Sequence, residues 1–393
     1  MKFATRLLSF EAAPGDPSQP VSTPIYQTAT FAQSSALELG TYDYSRSGNP
    51  TRTVLETLMA TLEGAHRSLA YVSGLAALGG LARLVPAGGR IVAGEDLYGG
   101  TYRLLSRVLE HQGVRTVFAD LSDEAVTAQA LATGASLVLV ETPTNPLLRI
   151  CDVRRLAEIT HAHGALLAVD SSFLSPYLMR PLELGADIAW QSATKFLSGH
   201  SDLTAGMVSV RDPALAERLA FLQNADGTSL DPFQSWLLLR GLKTLQVRID
   251  RQQASAARIA AFLASARGIQ AVWYPGLAGH PGRAIHEAQA DGFGSVICFR
   301  TGSVAASQRI IERLELFTVA VSFGSVGSTV SLPCRMSHAS VPLAVREAHA
   351  LPEDLVRLSV GLEDPDDLLA DLAEAIRLPV GVEPQSQASK ARP

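Results

Sequence analysis

The chain has 393 residues, of which 47% are hydrophobic and 18% charged, and its net charge is −5 at pH 7. This composition is typical of a soluble globular protein with a large core, and we expect two domains. The sequence contains no basic stretch, so a nucleic-acid partner is not expected. It also contains no run of about 18 apolar residues, so a membrane span is not expected. The apolar patch near the N-terminus is too short and mixed for a signal peptide. The three cysteines are Cys151, Cys298 and Cys334, which are far apart and lack the spacing of metal ligands. This favours buried thiols and a cytoplasmic location.

The first part of the chain predicts an arm followed by a large domain. Residues 1–50 show little periodicity and contain several prolines and hydroxyl residues, which indicates an extended N-terminal arm. RTVLETLMATLEG then has the apolar spacing of a helix and ends at Gly64. Short apolar runs follow, most of them separated by helical segments: RIVAG, VRTVFAD, ASLVLVE, ALLAVD, DIAWQS and GMVSV. This alternation predicts an α/β fold with a mainly parallel sheet, covered on both faces, over residues 51–245.

The remainder of the chain predicts a second, smaller domain. A long helical stretch from about Pro232 to Arg267 is expected to link the two domains. Beyond it, GSVICFR, TVAVSF and LVRLSV have the pattern of strands, and DPDDLLADLAEAIRL has that of a helix. These elements predict a C-terminal α+β domain over residues 246–380. The polar tail over residues 381–393 contains proline and is expected to be disordered.

Lys195 stands at the expected carboxyl end of a buried strand, after the apolar run DIAWQS. Burial of an ammonium group is unfavourable, and the usual relief is an ion pair or a lowered pKa. An amine with a lowered pKa can form a Schiff base with an aldehyde. The alternative interpretation is a surface lysine in a loop rich in serine and glycine.

Asp170 ends another apolar run, GALLAVD. The carboxyl ends of parallel strands are where such sheets carry their chemistry, although a single aspartate there can also cap a loop. Together, Asp170 and Lys195 favour pyridoxal 5'-phosphate (PLP) as the cofactor. The lysine would bind its aldehyde, and the aspartate would keep its pyridine nitrogen protonated.

The phosphate of such a cofactor requires N–H and hydroxyl donors. Ser73 and Gly74 open an apolar helix whose first N–H groups can bind a phosphate, and Ser192 and Thr194 can add hydroxyl groups. Ser192 and Lys195 also match the Ser-x-x-Lys motif of serine acyl-enzymes such as β-lactamases. The companion motifs of that alternative are missing, because the nearest strings are SDL and KTL rather than Ser-Asp-Asn and Lys-Thr-Gly.

A longer set of motifs resembles one known family. YDYSRSGNPTR, LYGGTYRL, ETPTNPLL, AVDSSF, SATKFLSGHSD, LLLRGLKTL and LVRLSVGLED stand in the order found in the PLP enzymes of Cys/Met metabolism. That group contains the cystathionine γ-synthases, γ-lyases and β-lyases, the methionine γ-lyases and the O-acylhomoserine sulfhydrylases. The resemblance extends from about Thr23 to Leu378 and is strongest to bacterial cystathionine lyases. It implies the fold type I of PLP-dependent transferases.

The resemblance implies cofactor-binding roles for individual residues. Lys195 is similar to the Schiff-base lysine that also moves protons, Asp170 to the partner of the pyridinium nitrogen, and Tyr98 to the tyrosine that stacks on the ring and can act as a base. The residues similar to phosphate ligands are Gly74 and Leu75, through their backbone, and Ser192 and Thr194, through their hydroxyl groups; Ser73 is added because it opens the same helix. Tyr44 and Arg46 are similar to a pair that reaches the phosphate of a neighbouring subunit. This implies a dimer, usually within a homotetramer.

The resemblance also implies substrate-binding roles. Arg357 is similar to the arginine that binds the substrate α-carboxylate, and Asn145 and Ser322 are similar to further carboxylate contacts. Without the family, Arg357 in LVRLSV would be interpreted as a solvent-facing arginine on a strand. Arg103 and Asp43 match positions near the distal end of the substrate in some relatives.

Several positions depart from the family pattern. Val321 stands where cystathionine γ-synthases and many γ-lyases have glutamate, and Gly100 stands where methionine γ-lyases usually have cysteine. Ser171 and Ser172 replace the usual Asn-Thr after the aspartate, and Gly327 replaces a glutamate. These differences concern substrate identity rather than PLP chemistry.

The expected protein is therefore a PLP-dependent carbon–sulfur lyase of transsulfuration with a small amino-acid substrate. We expect it to act on cystathionine, with γ-elimination to cysteine, 2-oxobutyrate and ammonia ahead of β-elimination. The alternatives are a cystathionine β-lyase, a cystathionine γ-synthase or O-acylhomoserine sulfhydrylase, and a methionine γ-lyase. A non-catalytic relative and a serine acylase using Ser192 are the alternatives of a different class.

Overall fold

A computed structural model describes residues 1–377 of the chain. The predicted tail over residues 381–393 lies outside the described residues. Within them, no helix is both long and apolar enough to cross a membrane.

The larger sheet has seven strands among the described residues, in the spatial order β1-β7-β6-β5-β4-β2-β3. These strands are β1 (Arg67–Tyr71), β2 (Arg90–Gly94), β3 (Arg115–Ala119), β4 (Leu137–Glu141), β5 (Leu166–Asp170), β6 (Ile188–Ser192) and β7 (Gly206–Val210). Strands β2 to β6 pair in parallel, as the apolar runs predict. Strand β7 is antiparallel to both β1 and β6, and an apolar run does not encode this direction.

Ten α-helices of the described part of the chain precede the smaller sheet, and several of them pack on the larger sheet. They are α1 (Phe3–Leu8), α2 (Pro50–Glu63), α3 (Gly74–Ala82), α4 (Gly99–Arg103), α5 (Glu124–Leu131), α6 (Val153–Ala162), α7 (Ser175–Leu178), α8 (Pro213–Asp226), α9 (Pro232–Leu242) and α10 (Leu245–Ser265). The helical stretch predicted from Pro232 to Arg267 is thus two helices, because the chain breaks at Lys243 and Thr244. The Arg248 guanidinium fixes this break by donating to the Gly241 carbonyl at 2.9 Å.

The smaller sheet has five strands in the part of the chain that the structure describes, in the order β10-β11-β12-β9-β8. The strands are β8 (Ala271–Trp273), β9 (Val296–Arg300), β10 (Thr318–Val319), β11 (Thr329–Ser331) and β12 (Val356–Ser359). All of its pairings are antiparallel except that of β10 with β11. The helices α11 (Arg283–Gln289), α12 (Val304–Arg313), α13 (Leu343–Ala348) and α14 (Pro365–Ile376) accompany it. The boundary between residues 245 and 246 stays a prediction.

Local sequence explains where the helices beside the cavity begin and end. Asn49 caps α2 by accepting from the Thr51 N–H, and Pro50 follows at the first helical position. The same helix ends at Gly64, which adopts the left-handed conformation with φ of 63°. Ser73 caps α3 by accepting from the Ala76 N–H at 3.0 Å.

The parallel register brings polar side chains to one edge of the larger sheet. Glu141 at the end of β4 lies opposite Asp170 at the end of β5, and Asp170 pairs with Trp190 near the end of β6. The segment after β6 carries Lys195. The carboxyl edge of the sheet therefore collects the charged residues that the sequence singles out.

Candidate active site

A cavity of about 390 Å³ lies at this carboxyl edge. It is lined by residues from both sheets and from the loops between them. Twelve of the fourteen predicted site residues line it: Ser73, Gly74, Leu75, Tyr98, Arg103, Asn145, Asp170, Ser192, Thr194, Lys195, Ser322 and Arg357. The two of the fourteen that do not line it are Tyr44 and Arg46, and Asp43 also lies outside the cavity lining.

Lys195 lies in the turn after β6, with its side chain partly buried. Its Nζ donates a hydrogen bond to the Ser322 Oγ and lies 4.9 Å from the centroid of the Phe323 ring. Burial, followed by the charge of Arg357, lowers the pKa of the Lys195 ammonium to about 8, and Asp170 opposes this change. The residue therefore has the lowered pKa that a nucleophilic or proton-transferring amine requires.

Asp170 and Glu141 form a pair of neighbouring carboxyl groups. Burial raises the pKa of Asp170 to about 6, although its Oδ1 accepts from the Ser172 N–H at 2.8 Å. Burial and the charge of Asp170 raise the pKa of Glu141 well above its ordinary value. The Glu141 carboxyl accepts from the Tyr98 N–H with both oxygens, at 3.0 and 3.1 Å. We did not predict Glu141, although ASLVLVE carries the same signal as the run that ends at Asp170.

The N-terminus of α3 opens into the cavity beside β6. A Cβ atom on Gly74 would lie 2.9 Å from the Ser192 Cβ, so only glycine fits this close approach. The Trp190 Nε1 donates to the Gly74 carbonyl at 3.1 Å and fixes the start of the helix. The first N–H groups of a helix have no partner within it and carry partial positive charge, so this cradle suits a phosphate group. The hydroxyl-bearing residues Ser192 and Thr194 line the same cavity.

Arg357 lies on β12 and is only 2% exposed, which excludes the solvent-facing interpretation. Its Nη1 donates to the Asn145 Oδ1 at 2.8 Å, and its Nη2 donates to the Ser322 carbonyl at 2.9 Å. Ser322 has φ of 82°, a left-handed conformation that is uncommon for residues other than glycine and marks local strain. A buried guanidinium held from two sides presents a planar fork that suits a carboxylate.

The turn that carries Tyr98 is fixed by buried polar residues that we did not predict. The Asp96 carboxylate accepts from the Thr144 hydroxyl, and from the Leu147 N–H at 3.3 Å. The His338 Nε2 lies 3.1 Å from the carbonyl oxygens of both Leu97 and Asn145. Burial lowers the pKa of His338 to about 4, so the ring is neutral at pH 7 and donates from Nε2. No motif signals His338, because its acceptors are backbone atoms far away in the chain.

Two further observations concern the rim of the cavity. Arg103 donates from Nη1 to the Ser340 Oγ at 2.8 Å. Val321 lines the same cavity and is 59% exposed. A Cβ atom on Gly100 would collide with the Tyr98 ring in its present orientation. The present orientation of the Tyr98 ring therefore requires glycine at position 100.

Tyr44, Arg46 and Asp43 lie on the N-terminal arm and do not line the cavity. The Arg46 Nη1 donates to the backbone and side-chain oxygens of Asn224 at 2.7 and 3.0 Å, and its Cζ lies 5.3 Å from the centroid of the Tyr44 ring. That Tyr44 and Arg46 complete the site of a neighbouring subunit stays a prediction. Lys243, which the serine acyl-enzyme alternative would need, also lies outside the cavity lining.

The family model described as Cys/Met metabolism PLP-dependent enzyme matches residues 4–377. The chain belongs to this family. The predicted PLP cofactor, the predicted fold type I and the PLP-dependent lyase class are confirmed. The amine, the two carboxyl groups and the phosphate cradle around the cavity fit the chemistry of this cofactor.

Both β-lyases and γ-lyases of the family are similar to this PLP-dependent enzyme. A chloroplastic cystathionine β-lyase of Mimosa pudica is 52% identical over 361 residues, which are 92% of this chain and 79% of the relative. A cystathionine γ-lyase of Bacillus subtilis is 43% identical over 356 residues, 91% of this chain and 94% of the relative. The crystal structure of cystathionine γ-lyase from Lactobacillus plantarum with L-serine is 40% identical, has a TM-score of 0.93, and covers 95% of this chain and 98% of its own. The chain is thus a member of the cystathionine lyase group.

Proposed function

We propose that this enzyme cleaves cystathionine by β-elimination, which yields homocysteine, pyruvate and ammonia. The observation that supports the lyase activity is that the partly buried Lys195 amine and the buried Arg357 guanidinium line one and the same cavity. The choice of β-elimination rests on the 52% identity to the Mimosa pudica β-lyase, against 43% for the Bacillus subtilis γ-lyase. The sequence motifs alone favour γ-elimination, and the likeness to the Lactobacillus plantarum γ-lyase structure keeps it as the second candidate.

We assign the cofactor to the carboxyl edge of the larger sheet. Its phosphate would be held at the N-terminus of α3, by Ser73, Gly74 and Leu75 together with Ser192 and Thr194. Asp170 would face the ring nitrogen, Tyr98 would cover the ring, and Lys195 would be the point of covalent attachment. When bound, the cofactor supplies a ring that stores the electron pair left on the substrate α-carbon.

Lys195 would remove the proton from the α-carbon once the substrate has replaced it on the cofactor. A pKa of about 8 leaves about a tenth of the amines neutral at pH 7, against about one in three thousand for an ordinary lysine. The hydroxyl of Ser322 accepts from Nζ and so keeps the amine in one position. This combination supports a base that is deprotonated often enough at neutral pH and held in one orientation.

Arg357 and Asn145 would bind the α-carboxylate and so orient the α-carbon towards Lys195. Loss of the α-proton is followed by cleavage of the Cβ–S bond, whose electrons leave with sulfur, and protonation of sulfur gives the homocysteine thiol. Addition of one water to the remaining three-carbon fragment gives pyruvate and ammonia. In γ-elimination a second proton must leave from Cβ, and the products are cysteine, 2-oxobutyrate and ammonia.

A substrate panel separates these reactions. The PLP-loaded protein is supplied with cystathionine, methionine or cysteine, or with O-acetyl- or O-succinylhomoserine with and without cysteine, and the oxo acid and thiol are identified by mass spectrometry. We expect pyruvate and homocysteine in equal amounts from cystathionine, and no turnover by Lys195→Ala. Formation of 2-oxobutyrate and cysteine instead would establish γ-elimination. If cystathionine yields neither pair of products, the enzyme is not a cystathionine lyase.

We further propose a cytoplasmic homotetramer built from dimers, with the domains and arm limits given above. In such a dimer, Tyr44 and Arg46 of one subunit would reach the phosphate bound by the other. Exposed apolar side chains on the arm support a contact there, since Val21 is 97% and Leu37 is 94% exposed in the single chain. Light scattering of the PLP-loaded protein measures the oligomeric state. A dimer would contradict the tetramer, and a monomer would also contradict the shared site.

A further inference from the structure

Phe323 occupies a central position in the cavity wall. It lies in the loop between β10 and β11, directly after the strained Ser322, and is 8% exposed. Its ring stacks on that of Phe173, with centroids 4.4 Å apart and an angle of 14° between the planes. The stack fixes the orientation of the Phe323 ring.

Two cations lie against this ring. The Lys195 Nζ is 4.9 Å and the Arg357 Cζ is 5.2 Å from the ring centroid. Within residues 1–377, neither cation lies within 4.0 Å of a carboxylate oxygen. Two like charges in a cavity wall repel each other and lose hydration, and the carboxyl group of Asp170 offsets this for Lys195 only from beyond 4.0 Å.

Ser322 and Phe323 together supply close interactions of the kind that a carboxylate in direct contact with the two cations would give. Ser322 accepts from Lys195 with its hydroxyl and from Arg357 with its carbonyl. The face of an aromatic ring carries partial negative charge and attracts cations within about 6 Å of its centroid. An aliphatic side chain at position 323 would exclude water equally but would offer no such charge.

We propose that Phe323 is a positioning residue whose ring stabilises both cations, and so raises the proton affinity of Lys195 and orients Arg357. The inference rests on the roles proposed above for Lys195 and Arg357. The charged groups that face Lys195 are Arg357 on β12 and Asp170 on β5, and Glu141 adjoins Asp170. Phe323 acts against the lowering of the Lys195 pKa by burial and by Arg357, and so favours the protonated amine.

The first experiment measures the proton affinity of Lys195 in the cofactor-free protein. The rate at which a trace acylating reagent modifies Lys195 is followed against pH by mass spectrometry. We expect a midpoint near pH 8 for the wild type, and a decrease of about half a unit to one unit in Phe323→Leu. Phe173→Leu is the matched control, because it removes a ring that packs on Phe323 but lies against neither cation. Since this change also releases the Phe323 ring, its midpoint should fall, but by less than that of Phe323→Leu.

A fluorinated series at position 323 covers the case in which Phe323→Leu fails to fold. Fluorine atoms withdraw charge from the ring face and hardly change its shape. One, two and three fluorine atoms on the Phe323 ring should lower the Lys195 midpoint stepwise. A midpoint that does not change along the series, or an equal decrease in Phe173→Leu, would overturn the proposal.

A second readout concerns Arg357 in the PLP-loaded protein. The dissociation constant of L-alanine, which has no leaving group, is measured from the cofactor absorbance, together with that of ethylamine, which has no carboxylate. We expect Phe323→Leu to weaken alanine binding several-fold relative to ethylamine. Equal weakening of both ligands would contradict a role through Arg357. None of these readouts depends on whether pyruvate or 2-oxobutyrate is formed, so failure of the proposed reaction is recognised separately.

Discussion

Replacement of Lys195 by methionine should stabilise the cofactor-free protein at pH 7 while abolishing turnover. The pKa of the Lys195 ammonium falls from its ordinary 10.5 to about 8 because the group is buried beside Arg357. Each pKa unit corresponds to about 1.4 kcal/mol, so the charged form destabilises the folded state by up to about 3 kcal/mol. Methionine has a similar length and no charge.

The net gain is smaller than this limit. Solvent reaches the partly open cavity and reduces the electrostatic penalty, and loss of the hydrogen bond to Ser322 removes about 1 kcal/mol. We therefore expect Lys195→Met to raise the free energy of unfolding by about 1 to 2 kcal/mol at pH 7. Destabilised functional groups of this kind are common in active sites, where function and stability have opposite requirements.

The pH dependence has a definite sign. Between pH 8 and 10.5 the unfolded chain keeps the Lys195 proton and the folded chain loses it, so wild-type stability rises with pH relative to the variant. At pH 9 the advantage of Lys195→Met should therefore be about 1 kcal/mol smaller than at pH 7.

Urea unfolding of the cofactor-free proteins at pH 7 and 9, at one fixed protein concentration, measures both values. Lys243→Met, at a partly exposed position outside the cavity, is the control and should change stability by less than about 1 kcal/mol at either pH. A Lys195→Met variant that is less stable than the wild type at pH 7 would refute the reasoning. An advantage that stays the same at pH 9 would also refute it.

Three further predictions concern individual contacts. Arg357→Lys keeps the charge but loses the planar fork, so steady-state kinetics should show a KM for cystathionine raised about tenfold or more; an unchanged KM would contradict the binding of the α-carboxylate by Arg357. Gly100→Ala should displace the Tyr98 ring and weaken PLP binding several-fold, as measured by absorbance titration, whereas Gly79→Ala, with open space around the added methyl group, should not. Inactive Arg46→Ala and Lys195→Ala subunits, unfolded and refolded together, should recover part of the activity because mixed dimers contain one intact site; no recovery would contradict a shared site.

The sequence predicts the larger sheet well because buried parallel strands are continuous apolar runs, and each run found in the sequence is a strand. The antiparallel direction of β7 was not predictable, since it depends on how the chain returns after Lys195. The break at Lys243 and Thr244 was missed because both flanking segments have helical spacing.

The candidate site also has residues that the sequence predicts and residues that it does not. Asp170 and Lys195 follow apolar runs, so the rule that strand ends share one edge predicts their proximity. Glu141 follows the same rule and could have been found. His338 and Phe323 could not, because their contacts join loops that are far apart in the chain and only the folded structure brings them together.

The central claim is that Lys195 is the residue that binds the cofactor covalently. The chain has four lysines, Lys2, Lys195, Lys243 and Lys390, so the attachment point can be identified without ambiguity. The protein is incubated with PLP, reduced with borohydride and digested, and the labelled peptide is sequenced by mass spectrometry. We predict one pyridoxyl group per chain, on Lys195. A protein that stays unlabelled, or a label on another lysine that persists in Lys195→Ala at the wild-type level, would contradict the account.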